Sequence, residues 1–141
     1  MRRRGILTTV VALPLVVSLA GAEKTVWDGV YTTTQATRGK ATYTTYCSTC
    51  HMDDLSGGGV FGMEEAPPLK RDGFMEGRDL NNVFNFIKGN MPADNPSTLA
   101  PEAYLEILAY VLQQNGVPAD AQDLTTNADQ LKNIRIVAKP N

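Results

Sequence analysis

Cys47, Cys50 and His51 are the two cysteines and the single histidine of this chain, and they fall within five consecutive positions, Cys-Ser-Thr-Cys-His. A C-x-x-C-H run has a specific chemical use, the covalent attachment of haem. Two thiols one helical turn apart can each add across a vinyl group on one edge of a porphyrin. The imidazole that follows is then carried beneath the ring, where it can bind iron. Other uses remain open at this point. A C-x-x-C pair serves as a redox disulfide in thioredoxin-like proteins, but that reading wants a βαβ context that the chain lacks. It can be a structural disulfide in an oxidising compartment. It can be half of a zinc site, although the other half is absent.

An iron bound by His51 has an opposite face, and no second histidine can fill it. Methionine is the natural candidate. Met52 is adjacent to His51 and cannot reach the far side. Met63 and Met75 lie in a loop region and read as loop residues. Met91 is followed by Pro92, which fixes its own φ and stiffens the loop. A thioether on a stiff loop suits a permanent ligand, so Met91 is the expected sixth ligand. Thioether ligation raises the reduction potential and closes the iron to small molecules, which favours electron transfer over oxygen chemistry.

The elements that must position these groups read as helices. Thr32 and Gln35 have the spacing of a capping box, which predicts a helix from Thr33 to about Tyr46. Residues 52–78 are rich in Gly and Pro, with Gly57-Gly58-Gly59 and Pro67-Pro68, and read as a long loop. Asp79 can cap a helix over 80–88, with Leu80, Val83, Phe84 and Ile87 on one face and Gly89 ending it. Pro101 suits the first turn of a third helix, striped by Tyr104, Ile107, Leu108, Val111 and Leu112 and stopped by Gly116. Residues 127–132 are a short helical candidate, and the alternation around Ile134 and Ile136 suggests a short extended piece. Nothing earlier suggests a sheet. The lead-in with Val26, Trp27, Val30 and Tyr31 is expected to pack on the domain.

The 141 residues leave room for one domain with a small core, which a cofactor would help. Residues 1–22 read as an export signal: Arg2, Arg3 and Arg4, an apolar run of about 15 residues interrupted by Pro14, and Ala20-Gly21-Ala22 as a cleavage site. The run is short of the roughly 20 residues that a spanning helix needs. No other run is long enough, so no stable span is expected after cleavage. Loss of the three arginines takes the net charge from −2 to −5. That argues against a nucleic-acid binder, which needs a basic face.

With these residues in view, the chain resembles a class I c-type cytochrome of the small bacterial single-haem kind, over about residues 35–116. Gly39 and Tyr43 match the glycine and aromatic of that family's N-terminal helix, and Ile107 and Tyr110 match the C-terminal helix that crosses it. Pro67-Pro68-Leu69 resembles the family's P-x-L stretch. The resemblance implies that the Pro67 carbonyl accepts the His51 Nδ1–H and that Leu69 covers the haem. Met91-Pro92 matches the Met-Pro ligand loop. One departure stands out: many relatives have a Trp in the region corresponding to 74–80 that holds a haem propionate, and this stretch has none. Arg78 or Lys88 could stand in for it, while Trp27 reads as a packing residue.

The expected architecture is therefore all-α, a cytochrome c-like fold of three or more helices with long loops wrapped around one covalently bound haem c. The expected organisation is a signal peptide at 1–22, a lead-in at 23–34, the cytochrome c domain at 35–118 and an extension at 119–141. The expected function is that of an exported electron carrier in the periplasm. It would exchange electrons with protein partners such as a periplasmic dehydrogenase or a terminal oxidase, without itself being an enzyme. The alternative is the cytochrome subunit of a periplasmic quinoprotein dehydrogenase, and a haem-based catalyst is a third reading that needs a labile Met91.

Overall fold

A computed structural model describes residues 23–61 and 64–141. The signal read at residues 1–22 and the candidate Met63 lie outside them. Among these residues five α-helices carry the fold: α1 (Thr33–Tyr46), the single turn α2 (Ser48–His51), α3 (Leu80–Asn90), α4 (Pro101–Gln114) and α5 (Ala128–Lys132). No helix among the described residues is long and apolar enough to cross a membrane.

Helix α1 is mostly polar, and it packs through a narrow stripe rather than a broad apolar face. Gln35, Ala36, Gly39 and Tyr43 are its buried residues, and the stripe meets α4. A Cβ on Gly39 would sit 1.7 Å from the Glu106 carbonyl oxygen, so only glycine permits this crossing. The Thr32 hydroxyl accepts the Gln35 N–H at 3.0 Å, which is one half of the expected capping box. The other half is absent because the buried Gln35 amide is committed elsewhere. It donates to the Leu124 carbonyl at 2.9 Å and accepts the Leu124 N–H at 2.8 Å.

Helix α3 starts at its Asp79 cap and runs two residues beyond the expected stop, through Gly89 to Asn90. The terminator is Pro92, which disfavours helical geometry in the residue before it. Met91 is accordingly extended, at φ −124° and ψ 150°. Helix α4 begins at Pro101, and Gly116 follows it at φ +79°, as the sequence predicts.

Four two-residue strands occur among the described residues; the last is the extended piece expected near Ile134, and the other three depart from the expectation of no sheet before it. β1 (Lys24–Thr25) pairs in parallel with β4 (Ile134–Arg135), and β2 (Val60–Phe61) pairs antiparallel with β3 (Glu64–Glu65). Pairs this short carry no alternation for a sequence reading to detect. The lead-in and the tail are locked to each other and to α4. Tyr31 donates its hydroxyl to the Val117 carbonyl at 2.6 Å, the Asp120 N–H reaches the Tyr31 carbonyl at 2.8 Å, and Trp27 donates to the Val137 carbonyl at 3.0 Å.

The buried side chains form two groups. The larger joins Val26, Val30 and Tyr31 of the lead-in to α3, α4 and the tail through Leu80, Leu105, Leu108 and Leu131. The smaller comprises Tyr43, Leu55, Phe74, Ile107, Tyr110 and Val111, and Cys47, Leu69 and Leu99 pack against it.

Candidate haem site

Helix α1 ends at Cys47, whose carbonyl accepts both the Cys50 N–H at 3.2 Å and the His51 N–H at 2.9 Å. This one turn puts the two sulfurs and the imidazole at spacings i, i+3 and i+4, which share a helix face. Both cysteines are free and half-buried. Burial, and secondarily the neighbouring Cys50, pushes the Cys47 thiol up to about 11, so it is neutral at ordinary pH. Among the described residues, no group of three or more His, Cys, Asp or Glu side chains is arranged to hold a metal ion.

The chain reverses directly after His51. Met52 adopts φ +61° and Leu55 φ +65°, left-handed values that cost a non-glycine residue roughly 1–2 kcal/mol. Tyr43 offsets this by donating its hydroxyl to the Met52 carbonyl at 2.7 Å. Its ring packs at 56° on Tyr110, with centroids 5.2 Å apart. Burial is the main cause that raises the Tyr43 phenol well above its ordinary value, so it stays a donor.

Two glycines close the reversal, and neither was singled out by the sequence beyond its loop character. The Gly59 N–H donates to the Cys50 carbonyl at 2.9 Å. A Cβ there would sit 2.4 Å from the Cys50 carbonyl oxygen and 2.6 Å from its Cα. The Gly57 N–H donates to the His51 carbonyl at 3.1 Å, and its φ of +73° admits few other residues. Their signal was the Gly57-Gly58-Gly59 run, but the backbone crossing that requires it is non-local.

His51 is only 7% exposed. Its Nδ1 lies 2.9 Å from the Pro67 carbonyl oxygen. A carbonyl can only accept, so the ring proton belongs on Nδ1, and the Nε2 lone pair is left available. Leu69, half-buried, packs against the smaller apolar group. Met91 is half-buried at the end of α3, where its N–H donates to the Ile87 carbonyl at 2.9 Å. The Met91 carbonyl accepts the Tyr104 hydroxyl at 2.9 Å, and Tyr104 also receives the Leu99 N–H at 3.4 Å. The sequence showed Tyr104 only as part of an apolar stripe. Met75 packs against both apolar groups, and Met52 is exposed. Arg78 is exposed, and the Lys88 ammonium lies 6.0 Å from the centre of the Phe84 ring.

The donor set fits a covalently bound haem: two thiols one turn apart, an imidazole with its Nδ1 engaged, and an apolar lining.

The family model described as cytochrome c oxidase, cbb3-type, subunit III matches residues 34–111. No curated protein sequence matches the chain. Among solved structures, a chain of the sulfane dehydrogenase SoxCD of Paracoccus pantotrophus is similar in fold, with a TM-score of 0.51 at 19% identity. The similarity covers 92% of this chain and 67% of that one.

Proposed function

The chain belongs to the c-type cytochrome family that the subunit III model describes, and on that premise we propose that it is an exported single-haem electron carrier with His51 and Met91 as axial ligands. Haem c is the family's cofactor, and a bound haem supplies a one-electron iron couple. Cys47 and Cys50 would hold it through thioether bonds. The Pro67 carbonyl holds the His51 proton on Nδ1 and orients the ring, which leaves Nε2 free to ligate. The Tyr104 hydroxyl fixes the backbone of the Met91 loop. Leu55, Phe74, Ile107 and Val111 form an apolar group against which Cys47 and Leu69 pack, and it would keep water from a haem attached there. The observation that carries this reading is the His51–Pro67 contact directly behind the two cysteines. It is the support that a ligating histidine needs, an acceptor that holds the proton on Nδ1.

A reduced-minus-oxidised spectrum of protein matured with haem-attachment machinery tests the assignment, repeated on Met91→Ala. Wild type should show a low-spin haem, and the variant should lose that ligand field and drop in midpoint potential, because a thioether ligand raises the potential. An unchanged spectrum and potential in the variant would mean that another group is the sixth ligand.

A second reading makes the chain the electron-accepting subunit of a dehydrogenase complex, with the chemistry in another polypeptide. The lead-in and the tail lie largely outside the family match, and they form a cleft with α4 lined by Trp27, Phe74, Leu112 and Val137. The resemblance to a chain of SoxCD is in keeping with this. Co-purification with a large catalytic subunit distinguishes the subunit from a free carrier.

A further inference from the structure

Asn115 immediately follows α4, and its side chain makes three hydrogen bonds, using both amide donors and the carbonyl oxygen. Its Nδ2 donates to the Leu69 carbonyl and to the Val111 carbonyl, each at 2.8 Å, and its Oδ1 accepts the Arg71 N–H at 3.1 Å. An ordinary helix cap would need only the bond to Val111. The other two bonds cross to a segment more than 40 residues earlier in the chain. From the opposite side, the Leu55 carbonyl accepts the N–H groups of Leu69 and Lys70 at 2.9 and 3.2 Å. Residues 69–71 are thus clamped between the end of α4 and the loop that follows His51.

Pro67, whose carbonyl meets His51 Nδ1, lies two residues upstream of that clamp. The only residue between is Pro68, whose ring fixes its φ and so removes one of the few torsions between the Pro67 carbonyl and Leu69. With so few soft torsions left over this short connection, a displacement of Leu69 also shifts the Pro67 carbonyl.

We infer that Asn115 is a positioning residue for the His51 imidazole, acting through the Leu69–Arg71 backbone on the Pro67 carbonyl. This rests on the haem reading above, in which His51 ligates iron. Asn115 touches neither His51 nor the cofactor. It sets how firmly the acceptor behind the ring is held, and so how rigidly the ring is oriented and how electron-rich it is.

The test uses reduced holoprotein. Hydrogen exchange of the His51 Nδ1–H is measured by NMR against the Ala109 amide at the α1–α4 crossing, and the midpoint potential is measured alongside. In Asn115→Ala the ratio of the two exchange rates should rise by about tenfold, the scale of one lost hydrogen bond, and the potential should move from the wild-type value. Asn115→Asp keeps an acceptor for the Arg71 N–H but loses the donors to Leu69 and Val111, and the ratio should rise there too. It decides the matter if the alanine variant yields no holoprotein. Leu131→Ala, a buried change in α5, is the control for general destabilisation and should leave the ratio and the potential unaltered. Haem attachment lost in both Asn115 variants but retained in Leu131→Ala would also support the role. Asn115 variants that lose stability alone, with the ratio and potential of wild type, would overturn it. Failure of the underlying haem reading is seen separately, as a wild-type protein without covalent haem.

Discussion

At the scale of single residues, the chemistry was legible where the residues are adjacent and obscure where they are not. Cys47, Cys50 and His51 stand out by spacing, and Met91 is singled out as the proposed sixth ligand by the proline that follows it. Gly39 was legible through the family resemblance alone and Gly59 only as part of a glycine run, because a glycine's necessity is set by whatever backbone crosses it. The neighbourhoods make opposite demands. Gly39→Ala must push a Cβ into the Glu106 carbonyl, and a loss of at least about 3 kcal/mol is expected in denaturant unfolding. Gly89 lies in α3, and a Cβ added there would meet nothing within 4 Å. Gly89→Ala should therefore be neutral or stabilise by up to about 1 kcal/mol, on helix propensity alone. Equal losses in the two variants would mean that the α1–α4 crossing is not as close as described.

At the scale of elements, the helices were legible because caps and apolar stripes are local signals. The places where expectation and structure part are tertiary. Helix α3 ignores Gly89 and stops at Pro92, since nothing requires a left-handed residue at 89 and the proline does constrain 91. Gln35 leaves its capping role because Leu124, in the distant tail, offers both a donor and an acceptor in a buried setting. Gln35→Ala should cost roughly 2–3 kcal/mol, more than a typical exposed helix position, because both Leu124 groups lose their partner. Equilibrium unfolding that shows no such loss would mean that water replaces the amide. Helix α4 reaches both sides of the proposed site, with Tyr104 bonded to the Met91 carbonyl near its start and Asn115 bonded to the Leu69–Arg71 segment at its end. Tyr104→Phe removes one hydroxyl from the Met91 carbonyl. A loss of about 1 kcal/mol is expected, with easier displacement of the sixth ligand by added imidazole. Imidazole binding equal to that of wild type would show that Tyr104 does not restrain the loop.

At the scale of the whole molecule, the expected lead-in and tail prove to be one connected layer, joined by β1 and β4 and sharing the larger core. That union was invisible in the sequence because its partners are more than 100 residues apart and its strands are two residues long. Asp123 ties the layer to α1. Its carboxyl is held below the usual carboxylate range chiefly by the Thr32 hydroxyl and further by the Arg38 guanidinium, against a smaller cost of burial. A depressed folded-state value means that the contribution is present above the unfolded value of about 4 and is lost as pH falls through the folded one. Asp123→Asn should thus flatten the fall of stability in acid while leaving its dependence near neutrality alone. The claim on which everything else depends is that Cys47 and Cys50 hold a haem covalently. Intact mass under denaturing conditions, on protein produced with haem-attachment machinery, tests it most directly. Wild type is expected to be heavier than its polypeptide by one haem, and a protein with both Cys47→Ala and Cys50→Ala to have the bare polypeptide mass. A wild-type protein at the bare polypeptide mass would contradict it.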